Sequence, residues 1–284
     1  MQTNIEVKRH FQGLTGFHIK CIAVALMVLD HIQYFFSFTG AIPLAFSWLG
    51  RLAGGLFLFL LVEGFTHTRN RKKYFLRLYL IGAAMGLVQF GMTVLGLARP
   101  DGFIPMNGVF MTFALTLVMM QGIAWLEEKR WLRGLTALLV PFAWPYWVRA
   151  LVGMAPGLAP VTLLVHYTLL PMHPAVEGGT GFVLSGLVLY IFRKNRKVQA
   201  AAFALFHLAW YTVRLMLLVP GLPMTAAFWC LEAYEWMGAG AALIMLLYNG
   251  QRGRGIKNFF YVFYPAHVYI LYILSCGVYH VLMR

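Results

Sequence analysis

An aspartate followed directly by a histidine, Asp30-His31, sits two-thirds of the way along the first apolar stretch, Phe17 to Phe38. An ionised group in a membrane helix costs roughly 2.5–3.5 kcal/mol on insertion scales, so it faces the protein interior and marks either a functional site or a structural ion pair. Asp30, Gln33, Tyr34 and Ser37 fall at i, i+3, i+4 and i+7, one polar stripe on a helix. His31 projects beside that stripe, about 100° round the helix from Asp30, so the imidazole need not bond the carboxylate. A second histidine, His267, follows Pro265 in the last apolar stretch; a proline there frees the carbonyl of Tyr261 and predicts a kink near mid-depth. Two histidines at one depth with a carboxylate and a guanidinium nearby have the makings of general acid–base chemistry. A lone membrane histidine is more commonly a hydrogen-bonding group between helices.

Positioning these groups takes antiparallel helices joined by short turns, in which residues equidistant from a turn share a depth at 1.5 Å per residue. With the first turn near residue 41, Asp30 and Arg51 both lie roughly 15 Å below it. They are partners either as a structural bridge or as part of a site. The same count sets Lys20 opposite Glu63. A turn near Gly221 does likewise for Arg214 and Glu232, with Glu235 one helical turn further on. With Trp229 and Trp236, these residues form either an acceptor pocket for a polar or cationic group or an ordinary ion-pair cluster. Tyr34, on the polar stripe, belongs with the substrate-facing residues.

The supporting scaffold is legible in composition. Of 284 residues, 61% are apolar and 11% charged, with a mean hydropathy of +0.72. Apolar runs repeatedly reach the length needed to cross about 30 Å of hydrocarbon. The fold class is therefore all-α, a polytopic integral membrane helical bundle. Residues 1–17 form a cytoplasmic or interfacial segment with Lys8 and Arg9, and 18–284 a single membrane domain. Spans are expected near 18–38, 43–66, 77–97, 104–125, 134–152, 178–192, 199–219, 224–247 and 257–281. Val161 to Leu170 is too short to cross comfortably and is bracketed by Pro160, Pro171 and Pro174. If it is re-entrant or interfacial, the clusters at 69–73, 129–133, 193–197 and 252–257 all fall on one side. About nine spans plus one partial or re-entrant helix result, with a cytoplasmic N-terminus and the C-terminus outside, in a bacterial inner membrane.

The net charge of +14 sits in short loops between spans, which encodes orientation and points away from nucleic acid. Cys21, Cys230 and Cys276 are far apart, and no HExxH or other ligand spacing occurs, so no metal is expected. The loop Asn249-Gly250-Gln251-Arg252-Gly253-Arg254-Gly255 lacks the ending of a Walker loop, although its amides and arginines can meet a phosphate.

Three segments resemble the TraX family of F-pilin acetylation proteins: Lys20-Cys21-Ile22-Ala23 with Met27-Val28-Leu29-Asp30-His31; Gly50-Arg51-Leu52-Ala53 through Glu63-Gly64-Phe65-Thr66-His67-Thr68-Arg69-Asn70-Arg71-Lys72-Lys73-Tyr74; and Leu247-Tyr248-Asn249-Gly250 leading to Phe263-Tyr264-Pro265-Ala266-His267. The family's usual proline after its Gly-Arg-x-Ala-Phe stretch is replaced here by Gly54-Gly55. The resemblance implies a membrane-bound acetyltransferase among the transmembrane acyltransferases, with cytosolic acetyl-CoA as donor and an amine or hydroxyl acceptor in a peptide, sugar or lipid. It further implies His31 as general base or acyl carrier, supported by Asp30 and Arg51, with His267 as the rival catalytic histidine. Coenzyme A would lie among Glu63, His67, Arg69, Asn70, Arg71, Lys72, Arg77, Asn249 and Arg252, where cations suit its phosphates. Two other classes stay open. One is a proton-coupled transporter or flippase with Asp30 and His31 as relay, against which the lack of visible paired interrupted helices counts. The other is a non-catalytic assembly subunit. The lipid bilayer is the one sure partner, and the sequence is silent on oligomeric state.

Orientation is open to direct measurement: a cysteine placed near residue 195 should be labelled only after the membrane is made permeable. Labelling from outside in intact cells would put the 193–197 cluster on the far face and make Val161 to Leu170 a true span.

Overall fold

A computed structural model describes residues 13–106, 108–255 and 257–283. The expected basic segment with Lys8 and Arg9, and Arg284, lie outside the described residues. The described residues form helices joined by loops, and seven of the helices are long and apolar enough to cross a membrane. They include α1 (Gly16–Phe36), α2 (Ala45–His67), α3 (Arg71–Val94), α4 (Val109–Glu127), α5 (Trp131–Met154) and α12 (Lys257–Leu282). The seventh joins α8 (Arg196–Leu208) to α9 (Arg214–Leu218) through a π-helical turn, Ala209–Val213.

The other two expected spans are not full helices. Residues 178–192 form the 13-residue α7 (Gly179–Ile191), preceded by α6 (Ala159–Thr168) and an irregular stretch between them. Residues 224–247 are broken into α10 (Ala226–Leu231), a 3₁₀ run Tyr234–Gly240 and α11 (Ala241–Leu246). The protein thus holds two interrupted segments, where the sequence was expected to show none.

Prolines and glycines cause the first break. Pro171 and Pro174 cannot continue a helix, and Gly178 and Gly179 adopt φ of 77° and 62°, which favours residues without a side chain. Irregular backbone at membrane depth needs partners within the protein. Here Tyr79 donates to the carbonyl of Leu169 (3.1 Å), Thr112 to that of Glu177 (2.9 Å) and Tyr211 to that of Gly178 (3.4 Å), while the Met172 amide donates to His166 Nδ1 (3.1 Å). In the second break, Trp236 donates to the Trp229 carbonyl (2.9 Å) and His207 to the Glu235 carbonyl (3.1 Å).

The basic clusters share one end of the bundle. Arg196 bonds Glu63 (3.0 Å), Arg193 bonds Glu127 (2.7 Å), and the amide of Gly16 donates to the carbonyl of Gln251 (2.8 Å). At the opposite end the buried Arg99 ties the loop after α3 to α1. It donates to the Phe35 carbonyl (2.9 Å), pairs with Asp101 (2.7 Å) and lies over the rings of Phe38, Phe103 and Tyr279. That guanidinium holds the Asp101 carboxyl below the usual range.

α4 is the most buried long helix, with Thr112 and Thr116 bonded to their own helix or to neighbours rather than to water. α1 and α2 make the closest helix pair that positions charge. Gly50 on α2 abuts Asp30 on α1, so that any Cβ at residue 50 would overlap the Asp30 side chain. Gly54 and Gly55 leave room for Phe182, Phe203 and Ala241, and α2 runs unbroken through them.

Gly50→Ala should therefore destabilise the protein by about 1–3 kcal/mol, read as a lower Tm in detergent. The control is Gly91→Ala on α3, where nothing lies within 4 Å, and there helix propensity predicts an unchanged or higher Tm. Equal effects at both sites would show that the α1–α2 approach is not tight.

Candidate functional site

The helix pair α1–α2 carries the central charges, and its hairpin brings Arg51 Nη2 to 2.6 Å from Asp30 Oδ1. Arg51 Nε also reaches its own helix at the Ser47 carbonyl (3.4 Å), and Nη1 stands 3.7 Å from Glu235 in the 3₁₀ run. The guanidinium is shared between two carboxylates on separate elements. These groups face a cavity of about 560 Å³ at the heart of the bundle. Lys20, Asp30, His31, Glu177, His207 and Tyr264 contribute polar atoms to its wall, among aromatic and aliphatic side chains of α2, α3, α4 and α12.

His31 is buried, and its Nδ1 lies 2.8 Å from the carbonyl of Met27 one turn back. A carbonyl only accepts, so Nδ1 carries the proton and Nε2 is left with a lone pair. The ring packs against His267, Tyr264, Tyr34 and Phe35, with 4.8 Å between the two imidazole centroids. His267 repeats the arrangement, donating from Nδ1 to Phe263 (3.0 Å), but its buried Nε2 has no hydrogen-bond partner among the described residues. The two histidines share a depth, as expected, yet only His31 lines the cavity. Across from them Tyr264 donates to Glu177 Oε2 (3.2 Å). Among the described residues no group of His, Cys, Asp and Glu is placed to hold a metal ion.

Several expected partnerships are corrected. Glu63 bonds Arg196, while Lys20 lies 4.8 Å over the Phe260 ring and joins the cavity wall. Shared depth does not give shared face: twelve residues on from Arg51, Glu63 points about 120° round α2, toward α8. Arg214 sits over Trp210 (5.1 Å), and no ion pair joins it to Glu232 among the described residues. α10 ends at Leu231, leaving Glu232 exposed and carrying Glu235 inward to Arg51. Tyr34 accepts from the Met106 amide (3.1 Å), at the upper edge of the site.

The expected cofactor residues divide. Arg77 lies over Tyr261 (5.3 Å), a cavity residue, and Arg252 is within Coulombic reach of Lys20, so these two cations stand behind the cavity wall while Lys20 lines it. Arg71 instead stacks on Phe65 and bonds Gln121, Asn70 caps α3, His67 bonds the Glu63 carbonyl, and Asn249 accepts from the Gln251 amide. Arg69 and Lys72 are exposed at the same end. Sequence reasoning missed Glu177, Lys20, His207, Tyr211 and Tyr264. Glu177 did leave a signal, as the sole acid between Glu128 and Glu232 and part of a stretch bounded by prolines and glycines.

The chain matches the family model described as TraX protein over residues 16–275. It is similar to the probable fimbrial assembly protein FimC, serogroup H1, of Dichelobacter nodosus. That relative is 27% identical over 268 residues, which cover 90% of this chain and 94% of the relative. No solved structure matches the chain.

The shared guanidinium makes an asymmetric prediction for thermal unfolding in detergent. Arg51→Gln strands two carboxylates and should cost about 2 kcal/mol or more, below the 3–5 kcal/mol of a fully buried pair because Asp30 and Arg51 keep some exposure. Asp30→Asn leaves Arg51 with Glu235 and should cost less. The double variant should be more stable than Arg51→Gln alone; simple additivity would show that the two groups are not energetically coupled.

Proposed function

The chain belongs to the TraX family, and from that premise we propose that it is a multi-pass membrane acetyltransferase that moves an acetyl group from acetyl-CoA to an amine or hydroxyl acceptor. The observation that carries this reading is the tautomer of His31. With Nδ1 committed to the Met27 carbonyl, Nε2 is a proton acceptor on the wall of a largely apolar cavity that opens at the basic end. General-base catalysis needs such a group within reach of the attacking atom.

The rest of the cavity fits. Lys20 on the wall at one mouth, with Arg77 and Arg252 behind it, suits the phosphates of coenzyme A, while the apolar wall between Leu60, Leu61 and Phe260 suits its narrow thioester arm. That mouth is on the end where the basic loops cluster, which makes it the cytosolic end under the positive-inside rule and sets the N-terminus inside and the C-terminus outside. Toward the other half, Glu235, Tyr211 and His207 line a polar wall for the acceptor. Three carboxylates, Asp30, Glu177 and Glu235, face two cations, Arg51 and Lys20, along the cavity wall, a balance that favours a primary amine over a hydroxyl. The relative's name as a fimbrial assembly protein is in keeping with a polypeptide acceptor destined for a surface fibre.

One observation favours a transporter instead: two interrupted segments bring Glu177 and Glu235 to the same central cavity. Coenzyme A separates the readings, since a transporter has no reason to bind it.

Purified protein given labelled acetyl-CoA and a primary amine should form labelled amide. His31→Ala should lower kcat by about 10²–10⁴-fold with coenzyme A binding kept, and His267→Ala should do much less. Full turnover in His31→Ala with loss in His267→Ala would move the base to α12. No coenzyme A binding by the parent would favour transport.

A further inference from the structure

Acetylating an amine at neutral pH moves two protons from nitrogen. The acceptor arrives as an ammonium and is nucleophilic only once one proton has left. The second must leave as the C–N bond forms. His31 Nε2 has one lone pair and so serves for one of these. The other must go to a second acceptor, and a group on the same cavity wall can serve where the amine enters as its ammonium.

Three carboxylates face the cavity, and they differ in their commitments. Asp30 is bonded to Arg51 at 2.6 Å, a charge-assisted contact that commits it to the guanidinium. Glu235 stands near the same guanidinium and is the most exposed of the three on the cavity's outer side. Glu177 has no ion pair among the described residues. Its carboxylate is held by neutral donors, the Tyr264 hydroxyl at 3.2 Å and the amide of Val109 at the start of α4. A carboxylate offers about four lone-pair positions, so those two bonds leave capacity for a ligand. Its own carbonyl is fixed by Thr112 and that of Gly178 by Tyr211, which keeps the irregular backbone at this spot. The charged and titratable groups that face it are Asp30 and Tyr34 from α1, Arg51 from α2 and Tyr264 from α12. Tyr264 also packs edge-on to His31, with 6.4 Å between ring centroids, so base and carboxylate flank one volume.

We infer that Glu177 is a further catalytic residue, which takes the first proton from the acceptor's ammonium before His31 takes the second. The inference rests on the acetyltransferase reading. The ammonium gives one proton to the Glu177 carboxylate, leaving a neutral amine and a carboxylic acid. The amine attacks the thioester carbonyl; the C–N bond forms and the C–S bond breaks. The remaining proton passes from nitrogen to His31 Nε2 and from there to the departing thiolate, giving amide and free coenzyme A. The proton on Glu177 returns to water through the cavity mouth, which restores both groups.

The test uses full-length protein in detergent and two small acceptors of similar shape. Benzylamine is protonated at neutral pH and aniline is not. In Glu177→Gln, benzylamine acetylation at pH 7 should fall by about 10²–10⁴-fold, while aniline acetylation should fall by less than about tenfold. The benzylamine rate should recover as pH rises toward that amine's own pKa, where solution supplies the neutral form. Glu177→Asp keeps a carboxylate and should hold the benzylamine-to-aniline ratio within about tenfold of the parent, which tests the idea even where Glu177→Gln folds poorly. Equal losses with both amines, no loss with either, or a parent that acetylates aniline alone would overturn the role of Glu177 and leave the acetyltransferase standing. A parent that binds acetyl-CoA yet acetylates no acceptor would remove the acetyltransferase reading and this inference with it.

Discussion

A carboxylate and a guanidinium cannot be taken out of water cheaply, and the bond between Asp30 and Arg51 is the compensation on which the centre of this protein depends. The desolvation penalty is several kcal/mol per ion, repaid only when geometry is good and remaining polar atoms are bonded. Here Arg51 donates to Asp30 and to the Ser47 carbonyl and stands 3.7 Å from Glu235, and Gly50 removes the side chain that would otherwise keep α1 from α2. Every other polar group in the cavity is placed relative to that pair. His31 is the next residue on α1, Glu235 hangs from Arg51, and Glu177 lies within reach of both charges.

The two interrupted segments follow from the same constraint. A continuous helix bonds its own backbone and offers only side chains to a cavity. Breaking it at mid-depth brings carboxylates on short tethers to the centre, but frees carbonyls and amides that must be bonded inside the protein. Tyr79, Thr112, Tyr211, His166 and His207 supply those bonds. Several side chains that look like scattered polar residues in apolar spans are therefore the means by which irregular backbone is held. His207 does both jobs, lining the cavity while donating to Glu235.

What could be read beforehand depended on periodicity. Helix class, the α1–α2 hairpin and the common depth of Asp30 with Arg51 and of His31 with His267 follow from rise per residue, and long helices preserve that arithmetic. The same-side placement of the basic clusters held too, because Arg196 meets Glu63. Counting failed where helices break. Arg214 and Glu232 were matched by depth on the assumption of one continuous helix, but α10 is six residues long and the chain leaves its helical path at Glu232. It failed also at Glu63, where depth was right and azimuth was not.

Glu177 shows why a site of this kind resists reading from spans alone. It belongs to no long helix, so neither depth nor face can be counted for it, and a short run between prolines looks like a surface connection. The physical clue lies in cost. An acid that must be buried is tolerable only beside donors, and in the folded chain those donors come from α4 and α12, distant in sequence by dozens of residues. The polar groups gathered at the centre of this bundle are thus of two kinds. Those on unbroken helices can be found by arithmetic, and those on broken ones are found by asking which proline- and glycine-rich stretch carries a charge between long apolar runs.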